Sequence, residues 1–164
     1  MSQTVAILDA LVARLKGAFE QKLAVELFPE NPKNYRLNHP RGAILVAFGS
    51  SRFSDPEALD AVFQERNLVL PLTLVFRQLN GRDGVVTYLD AIRDCLTGWY
   101  PPHCDNACRP VDEVFTGQVA GLWQYTQRFA TRATQLQRMV PGDPGLPGGA
   151  IGGALRPTTF EGNP

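Results

Sequence analysis

Leucines alternate without a break through the stretch NLVLPLTLVF: Leu68, Leu70, Leu72 and Leu74, with Phe76 completing the series. A period of two places all five side chains on one face only if the chain is extended. Residues Ala61–Leu79 are therefore expected to form a long strand, and five large apolar side chains on one face demand a covering layer. Toward its start the same parity falls on Gln64 and Arg66, with Glu65 and Asn67 polar as well. That part of the strand is expected to leave the core and to meet solvent or a partner. Pro71 removes one ladder donor and points to an edge strand or a bulge.

Two amphipathic segments supply the covering layer. Val5, Leu8, Leu11, Val12, Leu15 and Phe19 recur at three- and four-residue steps, so residues 4–19 read as a helix that Ser2 or Thr4 can cap. Val85, Tyr88, Leu89, Ile92, Cys95 and Leu96 repeat the pattern. Asp83 is the expected N-cap of this second helix and Gly98 its stop. Leu23–Phe28 is a short strand. Gly42–Phe48 is a nearly continuous apolar run, as in a strand covered on both faces. Gly49–Pro56 is small and polar, and is expected to be an exposed loop. Val111–Gln118 and Leu122–Thr131 read as a hairpin around Val119–Gly121, with Trp123, Tyr125 and Phe129 on one face. The expected class is α+β: a mainly antiparallel sheet with both helices on one face, long hairpin or strand extensions, and an extended C-terminal tail. Residues 1–138 make up the domain, of ordinary single-domain size. Residues 139–164 hold 7 Gly and 5 Pro with no apolar period. Such a composition either stays disordered or forms an arm that orders against a neighbouring subunit, with Ile151, Leu155 and Phe160 as anchors.

Charge excludes several functions. The chain carries 16 basic and 16 acidic residues, so its formal net charge is zero, and no Lys/Arg run marks a nucleic-acid surface. The N-terminus lacks a basic leader, and Asp9 and Arg14 interrupt its apolar run, so no signal peptide is expected. No apolar stretch is long enough to span a membrane. The protein is expected in the cytoplasm, where thiols stay reduced.

The stretch YPPHCDNACRP, Tyr100–Pro110, gathers His103, Cys104 and Cys108. A structural zinc site needs four ligands, usually in two close pairs; here the remaining thiol, Cys95, lies on the apolar stripe of a helix and His39 is far away. A Cys–His nucleophile is usually assembled from distant positions, not from sequence neighbours. A Cys104–Cys108 disulfide would be unexpected in a reducing compartment. The reading is a proline-rich turn, with no catalytic residue, no cofactor and no metal. Asp55, Glu57 and Asp60 read as a solvated cluster capping a short helical turn. No phosphate-binding or dinucleotide fingerprint occurs.

Several stretches taken together resemble a known family: NYRLNHPRGAILVAFGSSRFSDP, QERNLVLPLTLVFRQLNG, YLDAIRDCLTGWYPP and VFTGQVAGLWQYTQRFAT. They are similar to the Mu-like phage proteins encoded just before the tail sheath and tube genes, over roughly residues 3–132. The features that carry this are Tyr35, His39, Pro40, Gly42, Ala43 and Val46, then Gln64, Glu65 and Arg66, then Trp123, Gln124 and Tyr125. The resemblance implies a non-enzymatic structural protein of a contractile tail, in the virion at the tail/neck junction and in the host cytoplasm during assembly. More specifically it implies a tail terminator: a small α+β domain forming a homohexameric ring that caps the tube and sheath. Implied partners are further copies of the chain, tail tube and sheath proteins, and neck or head-completion proteins. A head–tail joining or neck protein is the alternative. A small cytosolic metal-binding or thiol-dependent enzyme centred on Cys104 and Cys108 is a remote one. A closed ring needs two different, complementary surfaces on each subunit. The candidates are Ser50, Ser51, Arg52 and Phe53, then Gln64, Glu65, Arg66 and Asn67, and the tail anchors Ile151, Leu155 and Phe160.

Overall fold

The leucine alternation does build one long strand. The computed structural model describes residues 2–138, and in it β4 runs Phe63–Phe76. Leu68, Leu70, Leu72, Leu74 and Phe76 are all fully buried. Before Leu68 no residue of β4 is buried, as the change to polar side chains predicts. The other elements are α1 (Gln3–Phe19), β1 (Ala24–Leu27), β2 (Gly42–Val46), β3 (Ser50–Phe53), α2 (Val85–Leu96), β5 (Arg109–Val119) and β6 (Leu122–Leu136). Together these make an α+β fold with a mostly antiparallel six-stranded sheet. The strand order is β1-β2-β4-β6-β5, with β3 paired to β4.

Two compact units share the chain. One comprises residues 2–52 and 67–133; the other holds 53–66 and, among the described residues, 134–138. In the first unit, Ile7, Leu11 and Leu15 of α1 and Tyr88, Leu89 and Ile92 of α2 join Ile44, Leu70, Leu72 and Phe129 in one cluster. Both helices thus cover the same sheet face. Each fully buried large side chain contributes about 1.5–3 kcal/mol of transfer free energy. The opposite parity of the strands, Ala43, Leu45 and Val75, forms a smaller cluster. The connection from β1 to β2 covers it with Tyr35 and Leu37, because a parallel pair cannot be joined by a tight turn.

Four expectations need correction. β4 lies between β2 and β6, so Pro71 is not on an edge strand. The β2–β4 register ends at Val46↔Leu72, while Ala47 N–H still donates to Pro71 O (3.2 Å) and Gly49 N–H to Val69 O (2.9 Å). The missing Pro71 N–H falls where β2 stops and β3 has yet to start, so no regular ladder bond is lost. Second, Gly49–Pro56 is not simply loop: Ser50–Phe53 is β3. It looked like a turn because its side chains are small and polar, yet the ladder along β4 extends it. Third, the N-cap of α2 is Gly84, with no side-chain cap; Asp83 instead pairs with Arg41 at 3.2 Å. A Cβ at Gly84 would sit 2.4 Å from Asn80 O, so the backbone packs where a capping side chain would go. Fourth, Asp55, Glu57 and Asp60 cap no helical turn, because residues 54–62 form none. Glu57 N–H donates instead to Phe63 O, 2.9 Å away.

The other elements follow the pattern read from the residues. Ser2 Oγ accepts from Val5 N–H at 3.2 Å and caps α1. Gly98, with φ +89, ends the second helix in the left-handed region that glycine tolerates. The hairpin turns at Ala120 and Gly121, whose φ values of 51 and 80 suit a two-residue turn matched to strand twist.

Candidate assembly interface

The segment His103–Cys108 is fastened mainly by its backbone. Cys108 N–H donates to Trp99 O (2.7 Å) and Gly98 N–H donates to Cys108 O (2.9 Å). Asp105 N–H reaches Arg132 O (2.7 Å), and Thr131 Oγ1 donates to Asn106 O (2.7 Å). Cys104 bridges to Ala133 and packs against the main core. Cys108 is buried, and burial, with Cys104 nearby, pushes its thiol up to about 12. Cys95 is half-buried, and burial raises its thiol too. The Arg14 guanidinium lies 5.4 Å from the Trp99 ring centroid and donates to Cys95 O at 2.9 Å. Among the described residues no three His, Cys, Asp or Glu side chains come together to hold a metal.

An open pocket of about 340 Å³ lies beside His39, Arg41, Arg77 and Asp83. Its cations are tied to the fold. Arg77 donates to His39 O (3.0 Å) and Leu37 O (2.9 Å), and Arg41 to the Tyr88 hydroxyl (3.2 Å). These bonds pin the connection between β1 and β2 over the smaller cluster.

Of the candidate interface residues, Ser50–Phe53 make up β3 and Gln64–Asn67 lie in β4. Within the first unit, Asn67 Nδ2 donates to Arg52 O at 3.5 Å. Within the second, Gln64 Nε2 donates to Ser54 O (2.6 Å) and Glu65 N–H to Ser54 Oγ (2.8 Å). Ser50, Arg52, Phe53 and Asn67 are exposed; Ser51, Gln64, Glu65 and Arg66 are half-buried. Ile151, Leu155 and Phe160 lie outside the described residues.

Sequence reasoning missed the larger exposed surface. β5 is an edge strand of 11 residues. It leaves Val111, Val114, Phe115 and Val119 between 46% and 58% exposed. Register shifts between Pro110 and Asp112 and between Phe115 and Gly117 break the period of two, so no clean apolar stripe shows in the sequence. Phe115 nevertheless stacks with Trp123 (6.2 Å between centroids) and Tyr125 (5.3 Å) of β6. Two ion-pair systems fix the strand from behind. Arg128 Nε donates to Asp112 Oδ1 at 2.7 Å and a second Arg128 nitrogen reaches Oδ2, holding the Asp112 carboxyl below its ordinary range. Glu113 Oε2 accepts from Arg93 Nε and from the fully buried Gln127 Nε2, both at 2.6 Å. At the opposite end of the strand order lies β1, four residues long, with Leu27 and the adjoining Phe28 exposed. The sheet therefore ends in two unlike edges.

This is an α+β fold with exposed apolar side chains along a sheet edge. A family model described as Gp37 protein matches residues 11–146, and the chain belongs to that family of phage-related proteins. Among solved structures, a chain from the virion of a native gene transfer agent (GTA) particle aligns with a TM-score of 0.49 at 11% identity, over 82% of this chain and 98% of that one. No curated protein matches. No helix among the described residues is long and apolar enough to cross a membrane.

Proposed function

We propose that the chain is a structural virion protein of a contractile-tailed phage, and that copies of it close into a ring that terminates the tail tube and sheath and connects them to the neck. Membership of a phage-related family and the tail-protein resemblance of residues 3–132 support the phage setting. The observation that carries the ring is the pair of unlike sheet edges, apolar β5 and short β1. A cyclic assembly is heterologous: one surface of each copy meets a different surface of the next, and the rotation closes. An exposed apolar edge strand supplies backbone donors and acceptors together with apolar area for such a contact. Residues Ser50–Phe53 and Gln64–Asn67 are proposed as further contacts to a neighbouring copy or to tube and sheath. The mechanism is assembly energy from one repeated interface, with no bond made or broken. Immunogold labelling of intact virions tests the placement. Label confined to the head–tail junction is expected; label along the tail or at its far end contradicts the reading.

A further inference from the structure

The second unit contains a groove of about 370 Å³, and we propose that it holds the chain's own C-terminal segment, Ile151–Phe160, independently of any ring. The floor is apolar: Ala58, Ala61, Val62, Phe63 and Leu136 line it. Phe63 is 39%, Val62 41% and Leu136 58% exposed, so the apolar surface faces solvent in the described residues. The walls are built. Gln137 N–H donates to Val62 O (2.8 Å), Val62 N–H donates to Gln137 Oε1 (3.1 Å), and Glu57 N–H donates to Phe63 O (2.9 Å). Hydrogen bonds thus tie the segments that line the groove to one another.

Three observations select the occupant. The first is where the chain goes: Leu136 and Gln137 line the groove, and the remaining residues leave from Arg138, the very next position. The second is reach. Residues 139–150 carry four glycines and three prolines ahead of Ile151. Twelve residues reach at most about 40 Å when extended, so the chain is long enough for Ile151 to return to the groove. Covalent attachment through a short connection gives an effective concentration of about the millimolar range, which favours the chain's own segment over a separate copy in dilute solution. The third is charge. Glu57 and Asp60 stand on the rim of the groove, and Arg156 follows Leu155 directly in the segment. Apolar anchors at Ile151, Leu155 and Phe160 with one cation between them match an apolar floor with an acidic rim.

Hydrogen–deuterium exchange on the full-length chain tests this, comparing wild type with the double variant Leu155→Asp/Phe160→Asp. Amides of residues 57–63 are expected to exchange at least about tenfold faster in the variant, while those of α1 and β2 stay unchanged. Wild-type protection is expected to survive roughly a hundredfold dilution, as an intramolecular contact must. Val62→Asp, altering an exposed groove residue, is expected to reproduce the loss from the other side. Equal exchange in wild type and double variant overturns the proposal. Protection that vanishes on dilution also overturns it, and assigns the groove to the segment of a neighbouring copy.

Discussion

Cys108 shows how much a single position reveals of the environment around it. Its thiol is buried and pushed up to about 12 from an ordinary 9, burial being the main cause. At pH 8 it is expected to resist alkylation in the native chain and to react at once in denaturant. Labelling in the native state as fast as in the unfolded one would contradict the burial. The pH dependence follows in sign. Below about 9 the thiol is protonated in both states and its contribution to stability is fully present. As pH rises from there toward about 12 only the unfolded chain loses the proton, so stability falls across that window. Urea midpoints of wild type and Cys108→Ala are expected to diverge less at pH 10.5 than at pH 8. None of this was legible in YPPHCDNACRP. The sequence shows that His103, Cys104 and Cys108 are close along the chain, but which of them turns inward depends on backbone bonds to Trp99 and Arg132. Asp83 failed as a cap for a similar reason: a cation 42 residues away along the chain, Arg41, takes its carboxylate. Local pattern cannot register a partner that the fold brings in.

Elements were legible wherever one period ran unopposed. The helices and the leucine face of β4 came from spacing, because burial on one face enforces the spacing, and β2 came from its unbroken apolar run. β3 was not legible, since a ladder can carry a polar stretch that has no pattern of its own. Pro71 was read as an edge signal, yet it lies at a gap between two strands on one side of a central one. The exposed edge of β5 was hidden by its two register shifts. At this scale α1 makes a clean test. Ser2 caps it through its hydroxyl, and Ser2→Ala is expected to cost about 1 kcal/mol, read as a lowered urea midpoint at unchanged slope. No change in midpoint would mean that the first turn is satisfied without the hydroxyl.

At the scale of the whole molecule, what matters is how an α+β sheet with two unlike edges behaves in many copies. The first unit buries its main core on one sheet face and leaves apolar side chains exposed along β5. The second unit has little buried surface and offers a walled apolar groove. An ordinary soluble domain rarely leaves a long apolar edge open, since such an edge invites pairing. The proposed ring would close that edge without producing a filament. The proposed capping role has a biological readout, because a cap determines when a polymer stops. Blocking expression of this gene during phage growth, and measuring tail lengths by electron microscopy, tests that claim most directly. Headless tubes of uncontrolled length are the expected result. Tails of normal, uniform length that fail to join heads would contradict the terminator reading and move the protein to the neck.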